Sequence, residues 1–513
     1  MVAEKQDANL VGFYKKREAT FGVIPATGAW QTREPNSFDD FGAEYTKVAR
    51  RPFSPSRQRK KGSVTDLDAD GGYNEDLTQN NMQTELEEFF FAALRKTPEQ
   101  TNVAAVAATD DYTVTSSTGF LAGSIILATG FTIAGNNGLH VLDAITDGTH
   151  ISTADSLTDE AAAAEQKVKV VGFQFTAGDL EMTAAVGGSF LLTTTTQDLT
   201  LLGLIPGQWV FIGGGVEADS FEPVADEYLT GYARIALDGI TENAIAFDKS
   251  TFVPATTDGA GKTVRIFFGD LVKNEDDPDL ITRFSSVVER TLGRDDDGIQ
   301  SEHLTGAVAN ELTWNSPLAN LVNIDLSYVA NKAKTRNGAL GPLSRRASNT
   351  ITPALGEDAF NTSSNVYRLR MAMVDPTTLN PTPLFARVTE WSLTINNNVS
   401  SAKAQGVLGG FDTTVGNFDV DGEFTAYFST VEAIHAVECN YDMTFDAIYA
   451  KQNAGIYMDV PLIGLGGGRL DIEMDAAIML PLETAAAESP FGHTALIGWF
   501  DYLPDAAMPD VDC

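Results

Sequence analysis

Two alternating runs decide the fold: Trp391-Ser-Leu-Thr-Ile-Asn396 and Phe418-Asp-Val-Asp-Gly-Glu-Phe-Thr-Ala-Tyr-Phe428. In the first, Trp391, Leu393 and Ile395 alternate with polar residues. In the second, Phe418, Val420, Phe424, Ala426 and Phe428 alternate with Asp419, Asp421, Glu423, Thr425 and Tyr427. A period of two is that of a half-buried antiparallel strand, with one face toward a core and the other, here carrying carboxylates, toward solvent. Ser429 and Glu432 then have capping-box spacing, which predicts a short helix carrying Val431, Ile434 and Val437. The unit reads strand, strand, helix up to Cys439, and a row of acids on a strand face is ordinarily a solvated surface.

Working outward, the 513 residues are enough for two to four domains. The 35 basic against 70 acidic residues give a formal charge of −35, which excludes a protein that wraps nucleic acid, since phosphate neutralisation needs Lys and Arg. Two cysteines, Cys439 and Cys513, supply neither a disulfide framework nor a Cys-based metal site, and a reducing cytosol is the expected compartment. The opening MVAEKQDANLVGFYKK has no apolar h-region and no run reaches the length of a membrane span, so the expectation is a chain neither exported by that route nor inserted in a membrane.

The one basic segment runs from Lys47 to Lys61, where Lys47, Arg50, Arg51, Arg57, Arg59, Lys60 and Lys61 occur without an acid. Pro52 and Pro55 break any helix, so it reads as an extended arm or loop able to strap onto an acidic neighbouring subunit. Residues 415–513 offer such a surface, with seventeen acids against Lys451 and Arg469. Asp66, Asp68, Asp70 and Gly71 imitate the start of a calcium loop, but Leu77 stands where a bidentate Glu is required. A helix is predicted from Met82 to Leu94, with Met82, Leu86, Phe89, Phe90, Ala93 and Leu94 on one face.

Between 103 and 271 an internal repeat appears. Gly119-Phe-Leu-Ala-Gly123-Ser-Ile-Ile-Leu-Ala-Thr-Gly130 aligns with Gly203-Leu-Ile-Pro-Gly207-Gln-Trp-Val-Phe-Ile-Gly-Gly214, and Lys167–Gly172 with Lys262–Gly269. Two small β-modules, 103–175 and 182–271, are therefore expected as insertions between an N-terminal part (1–100) and a remainder (276–513). A second unit of the same kind is expected from about 366. Strands are predicted over 284–292, 308–314, 322–328, 367–374, 456–462, 470–476 and 494–502, with a long loop over 331–365 and a glycine-rich turn at 464–468. The 470–476 run places Asp471, Glu473 and Asp475 on one face.

No motif carries catalysis. His140, His150, His303, His435 and His493 are scattered without metal-ligand spacing, and no P-loop or nucleophile elbow occurs. The reading is no enzyme, no cofactor and no metal.

The runs TINNN (394–398) and VDGEFTAYF (420–428), with REATFGVIPATGAW (17–30), resemble the tail tube proteins of bacteriophages with long, non-contractile tails. The resemblance implies a mainly β fold: tube-type β-sandwich or barrel units with short flanking helices, here with two inserted β-modules. It also implies a structural virion protein, assembled in the host bacterial cytoplasm into stacked rings of three or six chains. Its partners are then other copies of itself and the tape-measure, terminator and distal tail proteins, with genomic DNA passing through unbound. A closed ring of about two dozen strands would measure about 115 Å around and at least about 37 Å across between backbones, which admits a duplex. The candidate channel lining is Asp419, Asp421 and Glu423 or Asp471, Glu473 and Asp475, and the candidate contact between subunits or rings is the Lys47–Lys61 basic set. The competing expectation is an adhesin whose inserted repeats bind host-surface carbohydrate.

Overall fold

The structure, a computed structural model, describes residues 5–53, 55, 58–185, 188–224, 227–374, 382–383 and 387–509. It is mainly β, with two α-helices among the described residues. The sheet that contains the opening stretch has eight strands, in chain order β1 (Ser37–Ala49), β2 (Gly62–Asp76), β3 (Ile299–Ser316), β4 (Asn323–Ala330), β5 (Val388–Asn396), β6 (Asp419–Tyr427), β7 (Ala454–Gly467) and β8 (Met479–Ala486). Across the sheet they run β1-β2-β4-β3-β5-β6-β8-β7, every pair antiparallel. The order of the first four is thus repeated in the last four, and the two sets meet at β3–β5.

β3 and β7 each serve two layers. Ser301–Thr305 of β3 lies between strands Ser286–Arg294 and Lys332–Arg336, whereas Glu311–Asn315 lies between β4 and β5. In the same way Gly455–Asp459 of β7 lies between Met443–Lys451 and Leu496–Phe500, and Ile463–Gly467 pairs with β8. A register shift accompanies each crossing, as expected where a strand turns from one sheet into another. One apolar cluster fills both sandwiches. Trp314, Trp391 and Phe424, on adjacent strands β3, β5 and β6, stack at 6.5 and 6.0 Å between ring centres.

The helices differ from the sequence reading. α1 spans Gln83–Phe90 and ends early because Phe91 takes a left-handed conformation (φ 48°), its N–H bonding the Glu87 carbonyl. Its acids are not on a solvent face: Glu85 and Glu88 are buried against Lys15 and Arg33, at 2.7 Å for Lys15–Glu88 and 3.1 Å for Arg33–Glu85. α2 spans Glu432–Glu438, and its N-cap is Val431, with no side-chain cap bond. The Ser429 capping box does not form, and Ala433 and Ala436 fill the inward face while Val431 is exposed.

Three other expectations are corrected. Residues 470–476 are a turn connecting β7 to β8, with Asp471 in a single bridge to Met479 and Met474 92% exposed. Alternation there reflects no strand because no neighbour supplies a ladder. The 331–365 segment contains strand Lys332–Arg336 and strand Asn349–Thr352, the latter parallel to Gly28–Arg33. Gly464, Gly466 and Gly467 are the end of β7, not a turn.

The inserted region folds around its own core. Its first set of strands is Ala104–Val106, Asp111–Thr113, Ser124–Thr129, Gly138–Asp147, His150–Thr153 and Lys167–Gln174. The second is Glu181–Ala184, Phe190–Thr193, Trp209–Ile212, Gly231–Ile240, Ala244–Ser250 and Arg265–Phe267. Within each set the order across the sheet is first, second, fifth, fourth, third, sixth, and the two sixth strands pair with each other, Gly172 opposite Phe267. The sheet therefore reads the same from either end, an approximate twofold arrangement. At the joint a Cβ on Gly172 would stand 2.3 Å from the Ile266 carbonyl oxygen, so only glycine lets these two backbones pair. Gly172→Val should accordingly lower stability by about 1–3 kcal/mol; a thermal unfolding midpoint equal to the wild type would show that the joint does not depend on this close approach.

Candidate functional site

Alternation leaves the eight-stranded sheet with one face on the core and one polar face, and the paired residues form rows across it. One row is Asp76, Asn323, Asn315, Ser392, Glu423 and Glu483, from β2 to β8. The next is Asn74, Asp325, Thr313, Thr394, Asp421 and Ala485. A third holds Ser327, Glu311, Asn396 and Asp419. No Lys or Arg stands in these rows.

Amides and hydroxyls tie the rows together. Asn74 donates to Asn323 and Asp325 at 2.8 and 2.7 Å, and Asn315 donates to Asp325 at 2.6 Å. Asn396 donates to Glu311 at 2.8 Å, Asn398 to Asp419 at 2.7 Å, and the Thr313 and Thr394 hydroxyls meet at 3.0 Å. Such an arrangement can present negative potential and hydrogen-bond acceptors; it has no paired nucleophile and base. Among the described residues no group of three or more His, Cys, Asp or Glu is placed to hold a metal ion, and no helix is long and apolar enough to cross a membrane.

The two acidic triads expected from sequence are not equivalent. Asp419, Asp421 and Glu423 sit on this face, each exposed, whereas Asp471, Glu473 and Asp475 lie in the β7–β8 turn. The basic set is carried by the hairpin of β1 and β2, whose pairing continues to Ala49–Gly62 beyond the last pairing of β2 with β4 at Ala69. Lys47 and, at the tip, Arg50, Arg51, Arg59, Lys60 and Lys61 are exposed, while Arg57 falls outside the described residues. The expected arm or loop is thus a two-stranded arm. Apolar side chains share it: Tyr45, Val48, Phe53 and Val64 are exposed. Asp66 and Asp68, instead of opening a calcium loop, lie in β2 and hold Lys403 at 2.6 and 2.5 Å.

Sequence reasoning missed a buried ionic clasp that fixes the region between 103 and 271 to the sheets of the remainder. Arg234 of the insert bonds Asp459 of β7 at 3.1 Å and its own neighbour Asp248 at 2.5 Å, and the Trp209 indole donates to Asp459 at 3.0 Å. Lys249 donates to Thr444 at 2.6 Å and lies 3.6 Å from Asp446, which also binds Arg368. Burial and the Arg234 charge push Lys249 down to about 8. Burial works against the Asp446 carboxylate, but Arg368 and Lys249 hold it below its usual range. Around the clasp Trp209, Phe211, Tyr232 and Phe267 pack on Ile448, Tyr457 and Phe500. The available signal was a charge flanked by apolar residues on both sides, as in Tyr-Ala-Arg234-Ile, Thr-Phe-Asp446-Ala and Tyr-Met-Asp459-Val.

Residues 251–486 match the family model described as phage tail tube protein. This stretch belongs to the phage tail tube proteins. The matched tube segment begins just past the insert's Ala244–Ser250 strand and ends on the last residue of β8, so it contains β3 to β8, the β3–β5 joint and α2. No curated protein matches the chain.

The clasp gives the tube protein a pH signature. Because Lys249 loses its proton at lower pH in the folded chain than in the unfolded one, the cost of its buried charge is full below about pH 8 and disappears as pH rises toward 10.5. Lys249→Met, which leaves Asp446 paired to Arg368, should therefore be at least as stable as wild type at pH 7, its relative advantage shrinking between pH 8 and 10.5. A stability difference that stays constant over that interval, measured by denaturant unfolding, would mean that Lys249 is not held in a disfavoured charged state.

Proposed function

We propose that copies of this chain join side by side into rings, with the polar face of the eight-stranded sheet turned inward, and that the rings stack into the tail tube of a phage with a long, non-contractile tail. The observation that carries this reading is the continuous face of carboxylates, amides and hydroxyls, free of Lys and Arg, spanning β2 to β8 in a segment of the tube family. Double-stranded DNA is held at protein surfaces chiefly through cationic side chains that release its counterions. A lumen of Asp419, Asp421, Glu423 and their neighbours repels the phosphates and offers them no cation, so DNA moves through without being retained.

On this reading each chain is two tube units in tandem, which the repeated strand order supports, and the insert stands between α1 and the remaining strands of the first. The basic hairpin tip, with Lys47, Arg50, Arg51, Arg59, Lys60 and Lys61, reaches an adjacent ring and meets acids of the 415–513 region, among them the Asp471, Glu473 and Asp475 turn. Contacts of that kind are screened by salt. The role is structural: the tube is assembled in the host cytoplasm, incorporated in the virion and terminated by other tail proteins.

Reversing the lumen charge tests the placement. Asp419→Lys, Asp421→Lys and Glu423→Lys together replace exposed side chains, so the fold and the assembled tail should persist while infectivity of intact virions falls by about tenfold or more, from retained DNA. Complete virions with unchanged infectivity would remove these residues from the lumen.

A further inference from the structure

Lys15, Lys169 and Lys249 are each buried between two carboxylates, and the surroundings of Lys169 differ from those of the other two. Beside Lys15, Glu88 also meets Arg17 and Glu85 also meets Arg33. Beside Lys249, Asp446 also meets Arg368 and Asp459 also meets Arg234. Each of those carboxylates has a second cation to balance it. Lys169 lies 2.7 Å from Asp270 and 2.6 Å from Asp501, and neither aspartate has another ion-pair partner among the described residues. One amine thus serves two carboxyl groups, away from water: Lys169 is 4% and Asp270 2% exposed, and the Asp501 side chain 15%.

The two aspartates are held differently. The Thr97 N–H and hydroxyl donate to Oδ1 of Asp270 at 2.9 and 3.3 Å, and Lys169 donates to its Oδ2. The Lys169–Asp501 contact is as close but lies off the hydrogen-bond direction, so Oδ2 of Asp501 is a buried acceptor with no donor aligned on it. Burial, with the Asp270 charge beside it, raises Asp501 above the usual carboxylate range in spite of Lys169, which favours its acid form. Burial also works against the Lys169 charge, but Asp501 and Asp270 outweigh it and hold the proton on the amine. The amine is therefore a nucleophile only once a neighbour takes that proton, and Asp270 is hydrogen-bonded to it. The backbones that carry the two aspartates are clamped together. The Trp499 N–H bonds the Asp270 carbonyl at 2.8 Å, and a Cβ on Gly269 would stand 2.2 Å from the Trp499 carbonyl oxygen.

We propose that Lys169 and Asp501 condense into an isopeptide bond, with Asp270 as the base. Asp270 takes one proton from the Lys169 ammonium, and the freed Nζ attacks Cγ of the Asp501 carboxylic acid. The Cγ–O bond to the hydroxyl then breaks, and that hydroxyl leaves as water with a second proton from the nitrogen. The products are an amide N–H between Lys169 and Asp501, one water and protonated Asp270; nothing is oxidised or reduced. In bulk water such a condensation is opposed by the solvent and by the stability of the separated ions. Here the ions are already stripped of water, and groups fixed in contact react at effective concentrations that reach about 10⁵–10⁸ M. Lys169 belongs to the insert strand Lys167–Gln174, and Asp501 follows the strand Leu496–Phe500 that pairs with β7. The bond would make covalent the seating that the Asp459 clasp maintains by charge, and it does not depend on how copies of the chain assemble.

The intact mass of the full-length protein, measured under denaturing conditions, tests this. Wild type should weigh one water less than its sequence requires. Proteolysis and tandem mass spectrometry should then recover a branched peptide joining Lys169 to Asp501. Lys169→Arg keeps the positive charge and should have the full sequence mass. Asp270→Asn keeps the shape and loses the base, so its Lys169–Asp501 linked fraction should fall by about tenfold or more while cooperative unfolding is retained. Wild-type protein at full sequence mass overturns the proposal, and the site is then an ion pair only. A branch mapped to Asp270 overturns the assignment of acyl group and base, and an Asp270→Asn protein linked as fully as wild type overturns the role of Asp270.

Discussion

Six cross-strand pairs, from Glu311–Asn396 to Ser316–Trp391, hold the two halves of this chain in one sheet, and everything that points to function lies on one side or the other of that joint. On its core side Trp391 stands between Trp314 and Phe424, so that one stack of rings passes from the first half to the second. Stacked aromatic pairs contribute about 0.5–1.5 kcal/mol each beyond the area they bury. On its polar side the Thr313–Thr394 and Asn396–Glu311 bonds cross the same boundary. The boundary is consequently as continuous as the interior of either half.

The buried charges have a different purpose from the aromatic stack. Replacing a buried ion pair by apolar residues is often neutral or stabilising, whereas removing one partner strands a charge and costs about 3–5 kcal/mol. The clasp around Asp459 and Asp446 and the cluster of Lys15, Arg33, Glu75, Glu85 and Glu88 are better understood as devices of registration. An apolar contact between the insert and β7 could slide; Arg234 and the Trp209 indole, both aimed at Asp459, allow one seating. Lys15 does the same for α1, fixing a helix of only two turns whose acids would otherwise keep it out of the core.

The period-two runs made the core strands legible: each apolar residue named in the 391–396 run is buried, as are Val420, Phe424 and Ala426, and the acids between them are exposed. Three kinds of feature were not legible, for three physical reasons. Alternation assigns charges to solvent, so the inward Arg234, Asp446 and Asp459 were invisible without knowledge of what covers their strands. Alternation also needs a neighbouring strand to mean anything, and residues 470–476 have the pattern without the partner. The equivalence of β2 and β6 rests on Asp-Gly followed two places on by an aromatic ring. That signal is too short to find until register shows which residues share a row. The glycines at 464–467 read as a turn because the end of a strand and a turn can share the same residue.

In the proposed role as a lumen this face must also avoid binding by hydrogen bond, and there the amides matter as much as the acids. Asparagine is a phosphate ligand through its NH2 group. On this face Asn74 and Asn315 donate to Asp325, Asn396 to Glu311 and Asn398 to Asp419, so these donors are engaged within the sheet. The carboxylates that receive them keep free lone pairs, because an ionised carboxylate accepts at about four sites. A face built of Asn and Asp in alternating register therefore turns its donors sideways, into the wall, and its acceptors outward. For a polyanion such a surface is repulsive at long range through its charge, and the amide donors named here are turned away from it. Acidic side chains alone would have given the first property, and the second requires the cross-strand order that the eight-stranded sheet imposes.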